Sequence, residues 1–382
     1  MPLITPPLSL YIHTPWCVRK CPYCDFNSHE RGELPEQAYL QALFNDLEQD
    51  LPLVAGRTVE TVFIGGGTPS LLSADFYRQL FNGLRQRLAL AGDAEITLEA
   101  NPGTLEAGRF EGFREAGINR LSIGVQSFNN THLQALGRIH DSSAAIAAAA
   151  QARRAGFDNF NLDIMHALPG QSRQQALDDL QRAIALAPTH LSWYELTIEP
   201  NTVFYRSPPS QPDGDAMADT ENAGFALLAE HGYQRYEISA FARPGRHCRH
   251  NLNYWQYGDY LGIGAGAHGK LTDARRGQVF RYQKTRLPEH YLADPAAARR
   301  QWQAVAADER LFEALLNGLR LVAGMPLGLL DERSGATAAQ WLPQLQPLQT
   351  QGLLQVDDTQ LRCTDIGLAH LNSLLERIAT LL

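Results

Sequence analysis

Short apolar runs alternate with amphipathic stretches over the first two-thirds of the 382-residue chain. Runs at residues 8–13, 59–64, 95–99, 120–125, 160–165 and 190–197 are candidate strands. Between them, residues 35–50, 73–88, 104–116, 142–155 and 172–187 carry helical patterns. The alanine-rich run 144–150 follows Asp141 and Ser142, both good caps, and is therefore helix rather than low complexity. Alternation of this kind predicts an α/β fold of parallel strands joined by right-handed crossovers. Six units leave either an open doubly wound sheet or an incomplete barrel, and both place their sites at the carboxyl edge of the strands.

Residues 201–219, rich in Pro, Ser and Asp, read as a surface loop. A helix is expected near 221–231, a strand near 233–241, and an irregular Gly-, His- and aromatic-rich stretch over 243–270. From about residue 305 the pattern turns helical around a short hairpin, 353–356 and 361–364, with a final helix. This resembles a winged-helix module. Residues 305–382 hold five Lys and Arg against nine Asp and Glu, a net of −4, which argues against phosphate contact and for a packing or lid role. The expected division is 1–240 for the barrel, 241–304 for a connecting region and 305–382 for the C-terminal module.

The composition, 44% hydrophobic and 19% charged, suits a buried core. A net charge of −8 makes a nucleic-acid partner an unattractive reading. The first residues have no basic region, and Tyr11 and His13 break the apolar stretch, so neither a signal peptide nor a membrane span is expected; a soluble, cytoplasmic protein is. Three of the five cysteines fall within eight positions, which points to metal or redox chemistry in a reducing compartment.

Those three are Cys17, Cys21 and Cys24, spaced C-x3-C-x2-C. Thiolates on one loop can each reach a different iron of one [4Fe-4S] cube, and three of them leave the fourth iron open. Zinc would want a fourth ligand, and only His13 or His29 is near enough in sequence, because Cys248 and Cys363 are isolated. Gly65-Gly66-Gly67-Thr68-Pro69 follows the second strand and lets backbone approach a ligand closely, although its spacing does not match the dinucleotide fingerprint. Glu99 and Gln126 stand at the ends of the third and fourth strands, and Arg138 follows. A carboxylate and an amide there can bond ribose hydroxyls, and an arginine can grip a carboxylate with two prongs. Each residue alone has a bland alternative, since strand-end polar groups often cap helices and a lone arginine is usually solvated.

Together, the cysteine loop from Tyr11 to Phe26, the Gly-Gly-Gly-Thr-Pro turn and these strand-end residues resemble the radical S-adenosylmethionine superfamily. The match is to the branch containing oxygen-independent coproporphyrinogen III dehydrogenase and the HemW family of haem chaperones. The resemblance implies an incomplete (β/α)6 barrel. It implies that the open iron chelates S-adenosylmethionine and that an electron cleaves it to methionine and a 5′-deoxyadenosyl radical. Carried over by position, Tyr11, Gly66, Gly67, Thr68, Glu99, Gln126, Arg138 and Asp163 would bind that ligand.

Within the branch, two absences separate this chain from the dehydrogenases. Cys24-Asp25-Phe26 lacks the further cysteine they carry, and only about ten residues precede the first strand, without their N-terminal extension. His250-Asn251-Leu252-Asn253-Tyr254-Trp255 is similar to the H-N-x-x-Y-W signature of the haem-chaperone family. An imidazole can ligate haem iron and the aromatic rings can stack on a porphyrin. His247, Cys248 and His268 are rival ligands. The resemblance implies a protein that binds haem and passes it to haem-requiring proteins such as respiratory-chain subunits, with room for a homodimer and for membrane contact through the acceptors. The alternatives are a coproporphyrinogen III oxidase of porphyrin biosynthesis and an RNA-modifying radical enzyme, the latter disfavoured by the acidic balance.

Overall fold

The computed structural model describes residues 1–103 and 108–382. Six parallel strands form its frame: β1 (Leu8–Thr14), β2 (Thr58–Gly66), β3 (Ala89–Ala100), β4 (Arg120–Gln126), β5 (Phe160–His166) and β6 (His190–Glu195), adjacent in that order. Between them run α1 (Glu36–Asp50), α2 (Ala74–Arg87), α3 (Phe110–Ala116), α4 (Ser142–Arg154) and α5 (Arg173–Ala185). The first part of the helix expected over 104–116 lies outside the described residues. Local chemistry sets the helix starts. Ser73 accepts from Phe76 N, Asp141 accepts from Ala144 N, and Ser172 forms a reciprocal capping box with Gln175. The strands read as apolar runs because both faces are covered; six of the seven residues of β1 are buried.

Beyond β6 three expectations need correction. The stretch 201–219 holds a helical turn at Val203–Arg206 and the start of α6 (Gly214–Glu230), whose first turn is fixed by Asp213 accepting from Ala216 N. The strand near 233–241 is two short antiparallel strands, Gln234–Arg235 and Ala240–Ala242, the second pairing with β6. The stretch 243–270 is ordered as α7 (Arg249–Trp255), β7 (Asp259–Ile263) and the start of β8 (His268–Asp273). β7 pairs in parallel with β1, Leu8 opposite Asp259 and Ile12 opposite Ile263. Antiparallel β8, β9 (Gln278–Lys284) and β10 (Arg299–Val305) then continue the sheet, which has twelve strands among the described residues. The barrel is therefore incomplete, with its first edge prolonged by later chain.

After β10, α8 (Ala307–Gly318), a helix at Leu327–Ser334 and a final helix at Leu371–Leu381 surround a three-stranded sheet of Met325–Pro326, Leu354–Val356 and Gln360–Cys363. Leu315, Trp341, Leu345, Leu348 and Ile378 give this module its own core. Arg281 on β9 grips Glu313 on α8 with two prongs, tying it to the sheet. Among the described residues no helix is long and apolar enough to cross a membrane.

Candidate functional site: two adjoining cavities

The carboxyl ends of β1 to β6 surround a cavity of about 360 Å³. Cys17, Cys21 and Cys24 line it from the loop after β1, and Gly66, Gly67 and Thr68 from the turn after β2. Glu99, Gln126, Arg138 and Asp163 complete the wall. The turn after β2 must be glycine. Gly66 has φ +114° and a Cβ there would lie 2.7 Å from His13, while a Cβ on Gly67 would lie 2.4 Å from the Trp16 carbonyl. The N–H groups of this turn point into the protein: Gly66 N donates to Glu99 Oε2, Gly67 N to Thr14 O and Thr68 N to Trp16 O. The turn can therefore offer a ligand only carbonyl groups and the Thr68 hydroxyl, which suits an amino group.

The cysteines fit an iron–sulfur cube. All three are free thiols on one wall, and burial raises the thiol pKa of Cys17 and of Cys24 above the ordinary value. Among the described residues no three His, Cys, Asp or Glu converge on a single ion. Three thiols on one cavity wall suit a cube, each meeting its own iron. The rival zinc ligands are engaged elsewhere: His13 bonds Tyr11 OH and Asn27 O through its two nitrogens, and His29 Nε2 bonds Asn27 Oδ1.

Arg138 is gripped more tightly than its sequence position implies. Its Nη2 donates to Asn101 Oδ1 at 2.7 Å and to Gly124 O at 2.8 Å, and its Nη1 lies 3.7 Å from Cys21 Sγ. With Nη2 committed, Nε, which has no partner among the described residues, and the second Nη1 hydrogen are left for a ligand. Gln126, held at φ +69°, accepts from Tyr194 OH at 2.9 Å. Asp163 accepts from Ser122 Oγ and Asn161 Nδ2, and burial raises its pKa. Sequence reasoning missed Asn101, which also donates to Thr68 Oγ1, and missed Ser122, Ser192 and Tyr194. Their signal was a polar residue inside or just past an apolar strand.

Tyr11 is placed differently from expectation. It borders a second cavity of about 830 Å³, within the roughly 300–1,000 Å³ range of ligand pockets. His250, Asn251, Tyr254 and Trp255 from α7 border the same space, with Phe63, Tyr257 and Tyr260. Phe26, Gly66 and Glu99 line both cavities and form the partition. The expected role of His250 as a ligand meets a geometric obstacle. Its ring is fully buried, Nδ1 bonds Thr61 Oγ1 at 2.7 Å, Nε2 bonds Tyr254 OH at 2.9 Å, and burial lowers its pKa to about 3. Cys248 is wholly buried with its Sγ donating to Glu95 Oε1, and His247 stacks on Tyr236 at 4.3 Å; neither borders the cavity.

The Radical SAM superfamily model matches residues 11–183 and the HemN C-terminal domain model residues 305–370. A curated relative, the heme chaperone HemW of Escherichia coli, is 51% identical over 97% of this chain and 98% of its own length. The chain belongs to the HemW family. Another HemW, from Bacillus subtilis, is 33% identical over 94% of this chain and 96% of the relative. The radical S-adenosyl methionine domain-containing protein 1 of cattle mitochondria is 36% identical over 96% of this chain and 86% of the relative. Among solved structures, coproporphyrinogen III oxidase (HemN) of Escherichia coli aligns with a TM-score of 0.83 at 26% identity, covering 99% of this chain and 91% of the other. Membership of the radical SAM superfamily implies a [4Fe-4S] cluster and S-adenosylmethionine for this HemW chain, and the smaller cavity has the donors for both.

Glu99 gives this HemW site a pH signature. Burial, then the Asp163 carboxylate, raise its pKa from 4.5 to about 8, while the Gly66 N–H opposes them. A carboxyl raised on folding contributes stability that is complete below its unfolded value and is lost as pH climbs through the folded value. Glu99→Gln, fixed in the neutral state, should match wild type in thermal unfolding near pH 4.5 and unfold at a higher temperature above pH 8. Equal midpoints above pH 8 would show that ionised Glu99 is not disfavoured.

Proposed function

We propose that this chain is a radical SAM haem chaperone whose two cavities work side by side. Cys17, Cys21 and Cys24 hold the cluster, and the smaller cavity holds S-adenosylmethionine. The larger cavity carries haem for delivery to haem-requiring acceptors such as respiratory-chain subunits. The observation that carries the reading is the shared partition: Phe26, Gly66 and Glu99 belong to both cavities. The cluster, when bound, supplies the electron that cleaves S-adenosylmethionine. The protein's own groups position the ligand. Backbone carbonyls of the Gly66–Gly67 turn accept from its amino group, Arg138 faces its carboxylate, and Glu99 and Asp163 accept from ribose hydroxyls. On the other side, Tyr254, Trp255, Tyr257 and Tyr260 supply flat apolar surface with polar tips, which suits a porphyrin. Three free thiols facing open space suit a reducing compartment, which supports a cytoplasmic location.

Titration of the full-length, cluster-loaded protein with ferric haem tests the reading: a saturable, shifted Soret band supports it, and a spectrum identical to free haem sinks it. The coproporphyrinogen III oxidase alternative has the HemN likeness in its favour, but the further cysteine after Cys24 is missing, with Asp25 and Phe26 in its place. No conversion of coproporphyrinogen III to protoporphyrinogen IX is expected with reductant and S-adenosylmethionine present. Steady turnover in that assay would replace the chaperone with the enzyme.

A further inference from the structure

Three cations border the larger cavity: Lys270, Arg281 and Arg286. They differ in what already holds them. Lys270 is buried with its Nζ 3.0 Å from Asp259 Oδ1, and a dry pair of this kind does not part readily. Arg286 is exposed and forms no ion pair among the described residues, so it can meet an anion but is tied to nothing. Arg281 stands between these extremes. Its Nε and Nη2 each donate to Glu313 on α8 at 2.8 Å, and its Nη1 lies 3.3 Å from Tyr260 OH. The two side chains of the pair are 37% and 26% exposed, so water reaches it. A wet, two-pronged pair contributes little stability, and a second carboxylate of the same shape can take the place of the first.

The fold puts this pair where cargo and module meet. β8 and β9 pair with Lys270 opposite Arg281 and His268 opposite Gln283. Alternation along each strand turns these four side chains to one face, and all four border the cavity. Glu313 reaches Arg281 from the other side. It lies on α8 one turn before Asn317, which borders the cavity too. Glu313 Oε2 also accepts from Tyr257 OH, and the Tyr257 ring borders the cavity while packing in the core of the C-terminal module. Among the described residues, the other side-chain bond from α8 to the β8–β9 hairpin is a single exposed one, Arg310 Nη1 to Gly277 O. Beyond α8, Val322 N bonds Tyr236 O and Leu321 pairs with Glu237, contacts made by residues that do not border the cavity. The polar ties on the cavity side of the module therefore run mainly through Glu313.

A haem carries carboxylates at its rim and Glu313 is a carboxylate, so cargo and module compete for one guanidinium. We infer that Arg281 exchanges Glu313 for a haem carboxylate when the cavity fills, and that loading thereby loosens α8 from β9. The inference rests on the haem-carrier reading above and adds to it a signal that the cavity is full, whichever group holds the iron. Glu313 needs no new partner after the exchange, because it stays in contact with water and bonded to Tyr257.

The test titrates the full-length chain with ferric haem and with its dimethyl ester, which keeps the iron and loses the carboxylate charges. Arg281→Gln should weaken haem binding several-fold, and Glu313→Gln, which frees the guanidinium, should tighten it several-fold. The ester should bind wild type and both variants alike. In the double variant the tightening should vanish, whereas simple relief of repulsion by Glu313 would persist there. Hydrogen exchange gives the second readout. The α8 amides should exchange several-fold faster in loaded wild type than in empty wild type, and Glu313→Gln should be fast in both states. Reading haem against ester within each variant keeps the comparison valid for a variant of lowered stability. If both substitutions weaken haem and ester alike, the pair is a structural clamp and the inference is overturned. Loaded wild type whose α8 exchanges no faster than empty wild type overturns it as well, and the carrier reading survives either result. A wild-type chain that gives no saturable haem spectrum ends the carrier reading, and this inference with it.

Discussion

Replacing Cys17, Cys21 or Cys24 by alanine is expected to drop the iron bound after anaerobic reconstitution from about four atoms per chain to near zero. The effect should be nearly all-or-none, because a cube held by two thiolates has two open corners and no fourth cysteine lines the cavity among the described residues. Cys363→Ala should keep all the iron. That thiol is buried in the C-terminal core, where its Sγ donates to the Leu319 carbonyl. Cys248 is equally remote, pushed up to about 12 by burial and directed at Glu95. Iron and sulfide analysis with the visible spectrum would check this. Loss of the cluster in Cys363→Ala, or its survival in Cys17→Ala, would be incompatible with the assignment.

The second large effect is at Arg138. Its guanidinium joins the cluster loop, through Cys21, to the ends of β3 and β4, through Asn101 and Gly124. Truncating such a buried, hydrogen-bonded cation removes a partner for the ligand carboxylate and leaves acceptors unpaired, together worth about 2–5 kcal/mol. Arg138→Ala should therefore retain its iron but bind S-adenosylmethionine more than tenfold more weakly, about 1.4 kcal/mol being tenfold. Titration of the reduced cluster's EPR signal with the ligand reads this directly. Lysine should rescue only part of the loss, since one ammonium cannot serve Asn101, Gly124 and a carboxylate with the same geometry. Full affinity in the alanine variant would remove Arg138 from the site.

Much of this was legible before folding was considered. The six barrel strands stand out because strands covered on both faces must be continuously apolar, and Ser73, Asp141 and Ser172 announce their helices through side chains that serve the local backbone. The cysteine spacing and the Gly66–Gly67 turn were legible for the same reason: their geometry is local. What could not be read depends on distant partners. β7 is a five-residue strand flanked by Gly258 and Gly264, and its pairing with β1 on one side and β8 on the other makes it a strand. Those glycines, with Gly262, look like a loop but are close-approach positions; a Cβ on Gly264 would lie 2.4 Å from the His13 carbonyl. The saturation of His250 was equally hidden, because Thr61 is 189 residues away. So was the placing of Tyr11, since nothing in a strand's sequence says which of two neighbouring cavities a side chain faces.

The pairing of β1 with β7 also bears on how the protein is made. At ribosomal rates of about 5–20 residues per second, the roughly 250 residues between Leu8 and Asp259 take on the order of ten to fifty seconds to emerge. Throughout that interval β1 can find β2 but not its other neighbour, so an unpaired strand edge waits open, the kind of template on which chains pair wrongly. The cysteine loop waits too, because Asn27 is anchored by the carbonyls of Ala265 and Arg286. The nascent chain therefore shows its thiols early but acquires the walls around them late. Metal loading would then wait until Arg286 has emerged, a long interval in which the thiols stand without their walls.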